Sequence, residues 1–244
     1  MELKNLAKRM QFVDAAVPLA ARVPFRYHAQ RLVGGLEPEM SLLSTLVPAD
    51  KLALDVGGNR GTYAFALAKL AREVVSFEPV PDCVRLLTAW AARTDNVRIE
   101  ACGLGDREDT IAIHIPRLSG SLTTTRASFS RVDGDGVDVT VPLRTLDGFR
   151  LDDVGFIKID VEGFEFAMLQ GAVDTITRCR PTILIEIDAD AQTPDEFART
   201  FKFIESLGYQ GHYLDDGRLI PCDSTVHSKV PISMNYIFLP DAQS

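Results

Sequence analysis

A glycine-rich turn with an acid in front of it is the first stretch of this chain whose residues could hold a ligand. The segment "LALDVGGNRG" (52–61) carries Asp55 near the end of an apolar run, followed by Gly57, Gly58 and Gly61. Glycine lets the backbone turn tightly and approach a ligand closely. A strand, a glycine turn and a helix in this order are typical of a nucleotide-like site, so we expect one here.

The residues around this turn argue against a dinucleotide. With Gly57 as its start, the G-x-G-x-x-G fingerprint needs glycine at Asn59 and Thr62, and a start at Gly58 fails in the same way. Asp55 would repel a pyrophosphate and attract a cationic group. The turn therefore favours a positively charged ligand, and a nicotinamide-dependent oxidoreductase stays an alternative function.

A second carboxylate stands at the end of the next predicted strand. Glu78 closes "EVVSFE" (73–78), and a carboxylate in this position can accept hydrogen bonds from both hydroxyls of a ribose. The site thus suits a ribose beside a cationic, phosphate-free group. S-adenosylmethionine combines an adenosine with a sulfonium and an α-ammonium, so it is the predicted cofactor.

Further acids follow two later predicted strands, namely Asp160, Glu162, Glu186 and Asp188. Residues two apart in a strand point to the same side, so we expect Asp160 and Glu162 on one face. Such carboxylates can act as a general base, bind Mg²⁺ or Ca²⁺, or cap a helix, as Glu162 or Glu165 would. We place Asp160 and Glu186 at the acceptor hydroxyl. No metal site is assigned, and a divalent metal stays an alternative.

Histidine offers another base, because imidazole titrates near neutral pH. His212 and His227 lie late in the chain, where the sequence can border a substrate pocket. The candidate catalytic residues are therefore Asp160, Glu186 and His227.

Six blocks of the sequence resemble the FkbM family of S-adenosylmethionine-dependent methyltransferases. They are "LDVGGNRGTYA" (54–64), "SFEPVP" (76–81), "GLGD" (103–106), "VPLRTLDGF" (141–149), "FIKIDVEGFEFAMLQGA" (156–172) and "RPTILIEI" (180–187). The blocks run in the family's order and extend over more than half of the chain. The "IKIDVEG-E" block is the most distinctive, whereas Gly58 and Arg60 depart from what the family often has there.

The resemblance implies a class I methyltransferase fold, a Rossmann-like α/β architecture with helices on both faces of a seven-stranded, mostly parallel sheet. It also implies methyl transfer, usually to a hydroxyl oxygen of a sugar, a polyketide or another small natural product. A non-catalytic module that only binds S-adenosylmethionine stays a further alternative. Asp106, after the third strand, is expected beside the adenine. The predicted cofactor-binding residues are Asp55, Gly57, Asn59, Arg60, Gly61, Glu78, Pro79, Gly103, Asp106 and Asp160.

An alternation of strands and helices must bring these residues together. From Lys51 onward, apolar runs alternate with segments of helical periodicity, which is typical of a parallel α/β sheet. Residues 48–244 are predicted as the methyltransferase domain, with one helix over 163–178. Residues 1–47 are predicted as an N-terminal helical extension that starts with a helix over 2–20. The polar segment 117–136 is expected to be a surface loop, either a solvated insertion or a lid over the substrate.

Composition and charge argue against some classes of binding partner. The 244 residues carry a formal net charge of −8, which argues against nucleic acid, because a phosphate backbone needs a basic face. No apolar run is long enough to predict a membrane span, and four scattered cysteines fit a reducing compartment. We expect a cytoplasmic protein that acts on a small hydroxylated molecule, binds neither nucleic acid nor membrane, and can pair as a homodimer through its N-terminal helices.

Overall fold

The computed structural model shows an α/β fold built on one large sheet. The structure describes residues 16–118, 121–122, 136–187, 193–226 and 235–242. The strands in these ranges are β1 (Leu52–Val56), β2 (Glu73–Phe77), β3 (Val97–Glu100), β4 (Gly103–Leu104), β5 (Asp109–Leu118), β6 (Ser121–Leu122), β7 (Gly136–Arg144), β8 (Val154–Ile159), β9 (Thr182–Glu186), β10 (Tyr209–Asp215), β11 (Arg218–Cys222) and β12 (Asn235–Pro240).

Helices connect most of the parallel strands. They are α1 (Arg22–Leu32), α2 (Leu43–Leu46), α3 (Thr62–Leu67), α4 (Pro81–Ala91), α5 (Glu165–Gln170), α6 (Val173–Cys179) and α7 (Pro194–Ser206), with short 3₁₀ turns at Leu19–Ala21, Pro38–Leu42 and Asp147–Phe149. None of the helices in the described ranges is long and apolar enough to cross a membrane.

The main sheet is mostly parallel, as predicted. Its order is β11-β10-β12-β9-β8-β1-β2-β3, with β3, β2, β1, β8 and β9 parallel to one another. All seven predicted strands are present, and within the described residues an eighth, β11, extends the edge. The turn before it contains Asp216 and Gly217, both with positive φ, at 42° and 76°. This Asp-Gly pair is a strong hairpin signal. The sequence prediction did not use it, and β11 was therefore missed.

The central strands are buried because helices cover both faces of the sheet. Along β1, Leu54 and Val56 pack in the cluster that contains α5, α6 and α7, whereas Ala53 packs with α2 and α3. Alternation along β8 puts Phe156 on the α3 face, and Lys158 two residues later shares that face. The carboxyl ends of these parallel strands meet at one edge, where open α/β sheets bind ligands.

A smaller sheet with the order β4-β7-β5-β6 lies beside that edge. Ile113 of β5 and Val141 of β7 pack against Val80, which lies two residues after Glu78, just beyond the end of β2. The predicted loop 117–136 includes the end of β5, all of β6 and the first residue of β7, and its residues 119–120 and 123–135 lie outside the described residues. The choice between a solvated insertion and a lid stays a prediction.

The N-terminal segment contributes α1, which lies within residues 1–47, the predicted helical extension. Pro24 lies in the first turn, where proline is tolerated because the N–H groups have no partner within the helix. Val23 is fully buried and packs with Leu87 and Trp90 of α4. Most of the predicted helix over 2–20 lies outside the described residues, and the boundary between residues 47 and 48 stays a prediction.

The single helix predicted over 163–178 is wrong, because the chain forms α5 and α6 with a break at Gly171 and Ala172. A side chain at Gly171 would overlap the carbonyl of Gly105, so the backbones of the two segments pack directly together. The N–H of Asp147 donates to the carbonyl of Gly171 at 2.9 Å, which removes that carbonyl from helical pairing.

Candidate active site

The glycine turn after β1 holds a conformation that side chains rarely adopt. Gly57 has a φ of 86°, and a side chain there would overlap the backbone carbonyl of Asp160. Asn59 also has a positive φ, of 44°. Gly57 therefore allows the ends of β1 and β8 to touch, which brings the glycine turn against Asp160.

Gly61 has a packing role in this arrangement. Its φ is 83°, and an added side chain would lie 2.8 Å from Leu87 and 2.9 Å from Val23. The residue starts α3 and lets α1 and α4 approach the turn closely. Its predicted contact with the cofactor stays a prediction.

Glu78 fixes the glycine turn through two charge-assisted hydrogen bonds. The N–H of Asn59 donates to Oε2 at 2.6 Å, and the N–H of Val80 donates to Oε1 at 2.7 Å. Burial raises the pKa of Glu78 to about 7, helped by the negative charges of Asp55 and Asp160 and opposed by the two hydrogen bonds. The carboxylate is thus positioned firmly, and its proton is exchangeable near neutral pH.

An open cavity, the Glu78 cavity, lies beyond the ends of β1 and β2. Phe77, Leu104 and Ile113 form apolar walls. Six of the predicted cofactor-binding residues line it, namely Gly57, Asn59, Glu78, Pro79, Gly103 and Asp160. The structure thus brings together residues from four separate blocks of the sequence.

A second cavity of about 250 Å³, the Lys158 cavity, lies on the α3 side of the same edge. Asp55 and Arg60 line it, together with Lys158, which was not predicted. It shares Gly57, Asn59 and Asp160 with the Glu78 cavity. Asp160 therefore stands at the wall between the two cavities.

Lys158 is 1% exposed and is held by a network of side chains from distant parts of the chain. Its Nζ lies 3.2 Å from Oδ1 of Asn235, and the Asn235 amide donates to Oε2 of Glu37 at 3.1 Å. The hydroxyl of Tyr63 donates to the same oxygen at 2.6 Å. A buried ammonium needs such partners, because desolvation of an unpaired charge is costly. The lysine inside the apolar run "FIKIDV" was the signal that could have revealed it.

The carboxyl groups around Lys158 hold their protons more tightly than usual. Burial raises the pKa of Asp55 to about 6, although Ser76 donates a hydrogen bond to it at 3.2 Å. Burial also raises the pKa of Asp160, while the ammonium of Lys158 opposes that shift. Burial and the negative charge of Asp160 raise the pKa of Glu186 to about 7. Glu186 lines neither the Glu78 cavity nor the Lys158 cavity, so its place at the acceptor hydroxyl stays a prediction.

Glu162 does not share a strand face with Asp160, so that expectation is wrong. Strand β8 ends at Ile159, and the chain turns at Glu162 and Gly163 with φ of 49° and 93°. Glu162 lines the Glu78 cavity instead. The Oε1 of Glu165 accepts a hydrogen bond from the N–H of Gly163 at 2.9 Å, in the turn that precedes α5, so its capping of the helix itself stays a prediction.

Three other candidate site residues either do not line the two cavities or lie outside the described residues. The Asp106 carboxylate pairs with Arg107 at 3.2 Å on the surface and does not line either cavity, so its contact with adenine stays a prediction. His227 lies outside the described residues. The ring of His212 contacts the carbonyl of Gln210 at 3.1 Å in β10. In the described part of the chain, no group of three or more His, Cys, Asp or Glu side chains is arranged to hold a metal.

Comparison with known proteins gives the relatives of this chain. Residues 55–210 match the family described as the Methyltransferase FkbM domain. The chain is 26% identical over 165 residues to the 2-O-methyltransferase NoeI of Sinorhizobium fredii, covering 59% of this chain and 67% of that protein. It is 24% identical over 186 residues to Methyltransferase 1 of Beauveria bassiana, covering 66% and 73%.

The crystal structure of methyltransferase FkbM from Methylobacillus flagellatus KT resembles this fold with a TM-score of 0.51 at 18% identity. The match covers 97% of this chain but only 60% of that one, so the chain spans less than two thirds of its length. The architecture is that of class I methyltransferases, as the motifs implied. With a family match over more than half of its residues, the chain belongs to the FkbM methyltransferase family.

Proposed function

We propose that this protein is an S-adenosylmethionine-dependent O-methyltransferase that acts on a hydroxyl group of a small molecule. The observation that carries the proposal is the position of Asp160, at the wall shared by the two cavities. A ligand in either cavity would contact that wall. The arrangement suits a donor and an acceptor that meet at a group able to take a proton.

The Glu78 cavity fits the adenosine part of the donor. Each carboxylate oxygen of Glu78 accepts one backbone N–H and keeps further accepting capacity for the ribose hydroxyls. The apolar walls at Phe77, Leu104 and Ile113 suit a nucleobase. Asp55, across the shared wall, provides the negative charge that an α-ammonium group would need.

Asp160 and Glu186 fit the task of removing the proton from an acceptor hydroxyl. S-adenosylmethionine supplies a methyl group on a positively charged sulfur, and the acceptor oxygen must lose its proton as it attacks. A carboxyl with a pKa of about 7, as in Glu186, is ionised for much of the time at neutral pH and still basic enough to act. Lys158 limits how far these pKa values rise, because its ammonium favours the ionised carboxylates.

Alignment of the reacting groups would provide most of the acceleration, and the base a further 10²- to 10⁴-fold. Oxygen as the acceptor atom is supported by the curated relative named as a 2-O-methyltransferase. The resemblance to a family that methylates sugars, polyketides and other natural products supports a small hydroxylated acceptor.

The test is methyl transfer from ¹³C-methyl-labelled S-adenosylmethionine to a panel of hydroxylated sugars and phenols, with matched amines. NMR of the products distinguishes an O-methyl from an N-methyl or C-methyl signal. We expect an O-methyl signal that Asp160→Asn removes and that Asp95→Asn, an exposed control, preserves. Methylation of the amines alone, or an undiminished rate in Asp160→Asn, would contradict the proposal.

A further inference from the structure

Lys158 is held at the edge of the Lys158 cavity by partners that carry no charge. Its Nζ donates to Oδ1 of Asn235 at 3.2 Å and to the carbonyl of Ile159 at 3.5 Å, and the centre of the Tyr63 ring lies 5.1 Å away. Within the described ranges, no carboxylate lies close enough to this ammonium to form an ion pair. An ammonium has three N–H donors, so these two hydrogen bonds leave one for a molecule in the cavity that Lys158 lines.

Carboxyl groups balance the charge of this ammonium from beyond the distance of an ion pair. Burial raises the pKa of four of them, and the ammonium opposes that rise in each case, namely in Glu39, Asp55, Asp160 and Glu186. Asp55 and Asp160 line the same cavity as Lys158. The positive and negative groups thus face one cavity without contacting one another, which leaves room between them for a polar group of a ligand.

A neutral hydroxyl is the group that fits between an ammonium and a carboxylate. Its oxygen can accept the remaining N–H of Lys158, while its own proton is donated to Asp160. A phosphate or a carboxylate of the ligand offers no donor to Asp160, and an ammonium of the ligand offers no acceptor to Lys158. The pair therefore favours a hydroxyl group over a charged group at this point of the cavity.

We propose that Lys158 is a catalytic residue that donates a hydrogen bond to the acceptor oxygen and stabilises the negative charge that forms on it. This inference rests on the proposed function, since it assigns a second group to the same reaction. The acceptor oxygen forms a bond to the methyl carbon as the bond from that carbon to sulfur breaks, and the electron pair of the broken bond stays on the sulfur. The hydroxyl proton passes to the carboxylate of Asp160, whereas Lys158 keeps its proton throughout. A donor fixed in a buried site stabilises such a charge strongly.

The first test needs no turnover and measures the pKa of 4-nitrophenol bound to the protein, from the absorbance of its phenolate, with S-adenosylhomocysteine present. We expect the wild-type chain to lower this pKa below its value in water, because Lys158 favours the phenolate, whereas burial among carboxylates alone would raise it. K158M removes the charge and should raise the bound pKa by about one pH unit or more. K202M, on the exposed side of α7, is the control and should match the wild type.

Three results of this test would overturn the inference: a raised pKa in the wild type, the same pKa in K158M, or no binding of 4-nitrophenol. Binding of 5′-methylthioadenosine checks that each variant is folded, since Lys158 does not line the Glu78 cavity. If K158M does not fold, K158Q takes its place, because its amide can still donate to Asn235, and the wild-type value remains a test by itself.

The second test separates charge stabilisation from a structural role and measures methyl transfer to an alcohol and to phenols of increasing acidity. A weakly acidic acceptor needs the ammonium most, so K158M should lower kcat about 10²- to 10³-fold for the alcohol and about tenfold less than that for 4-nitrophenol. Equal losses along the series would show that Lys158 acts only through the fold and would overturn the inference. If 4-nitrophenol binds with a lowered pKa but the wild type methylates nothing, the proposed function fails while the hydroxyl site at Lys158 stands.

Discussion

The Glu78 cavity and the Lys158 cavity share a wall but are built in different ways. The Glu78 cavity is shaped by backbone turns, and its key hydrogen bond joins Asn59 and Glu78, only 19 residues apart. The Lys158 cavity is shaped by side chains, and the hydrogen bond between Asn235 and Glu37 spans 198 residues. The Glu78 cavity is thus formed locally by two adjoining strand-turn units, whereas the Lys158 cavity forms only when distant parts of the chain have folded together.

This difference has a functional consequence. A donor common to many methyltransferases needs a cavity that changes little, and backbone geometry provides one. In the proposed function an acceptor that varies needs a lining that can change, and the side chains that form the Lys158 cavity beside Asp160 would provide it. Variants in the two cavities should therefore fail in different ways.

The largest expected effect separates chemistry from donor binding. Glu186→Gln should lower the rate of methyl transfer by about 10²- to 10⁴-fold, because it removes a candidate base. Its affinity for S-adenosylhomocysteine should change by less than about twofold, since Glu186 does not line the Glu78 cavity. Rate measurements at saturating donor and calorimetry test both statements. A loss of donor affinity would assign Glu186 to the donor side instead.

Glu78→Ala should have the opposite signature. Loss of a carboxylate that holds the turn and accepts the ribose hydroxyls should weaken S-adenosylhomocysteine binding by about 100-fold, from charge-assisted hydrogen bonds of about 1.5–3 kcal/mol. Glu73→Ala, at the half-buried start of the same strand, is the control and should bind normally. Unchanged affinity in Glu78→Ala would remove the ribose assignment.

Tyr63→Phe should act mainly on the fold of the Lys158 cavity. It removes the 2.6 Å hydrogen bond to Glu37, a bond to a carboxylate that contributes about 1.5–3 kcal/mol. The free energy of unfolding in urea should fall by a similar amount. Tyr27→Phe, which keeps its ring contact with Phe65, should change it by less than about 0.5 kcal/mol. Equal effects of the two substitutions would show that the network adds no stability.

The smallest effect is a pH dependence of donor binding. Glu78 accepts hydrogen bonds best when ionised, and its pKa of about 7 means that lowering the pH from 8 to 6 should weaken S-adenosylhomocysteine binding about tenfold. For the protein without ligand, the free energy of unfolding changes with pH in the opposite direction. A raised carboxyl pKa stabilises the fold below its ordinary value of 4.5, and that contribution is lost as the pH rises through 7. Calorimetry tests the pH dependence of donor affinity, and urea unfolding tests that of the free energy of unfolding. In Glu78→Ala the donor affinity should depend less on pH.

Much of the Glu78 cavity could be predicted from sequence because its information is local. The apolar run of β1, the glycine turn and Glu78 lie within 27 residues of one another, counted from Leu52 to Glu78, and each has a recognisable type. The parallel sheet followed from the alternation of strands and helices for the same reason.

The Lys158 cavity could not be predicted in the same way. Glu37, Tyr63, Lys158 and Asn235 meet only through tertiary packing, and no spacing in the sequence relates them. The break between α5 and α6 has a similar cause, since it depends on contact with Gly105. Of these four residues, only Lys158 could be noticed in the sequence, because it is a charged residue within an apolar run that predicts a buried strand.

The most direct test of the central claim is a calorimetric comparison of S-adenosylhomocysteine and NAD⁺ as ligands of the wild-type chain. The account predicts that S-adenosylhomocysteine binds at one site and that NAD⁺ neither binds nor competes, because Asp55 and the missing glycines disfavour a pyrophosphate. Binding of NAD⁺ at that site, or no binding of S-adenosylhomocysteine, would contradict it.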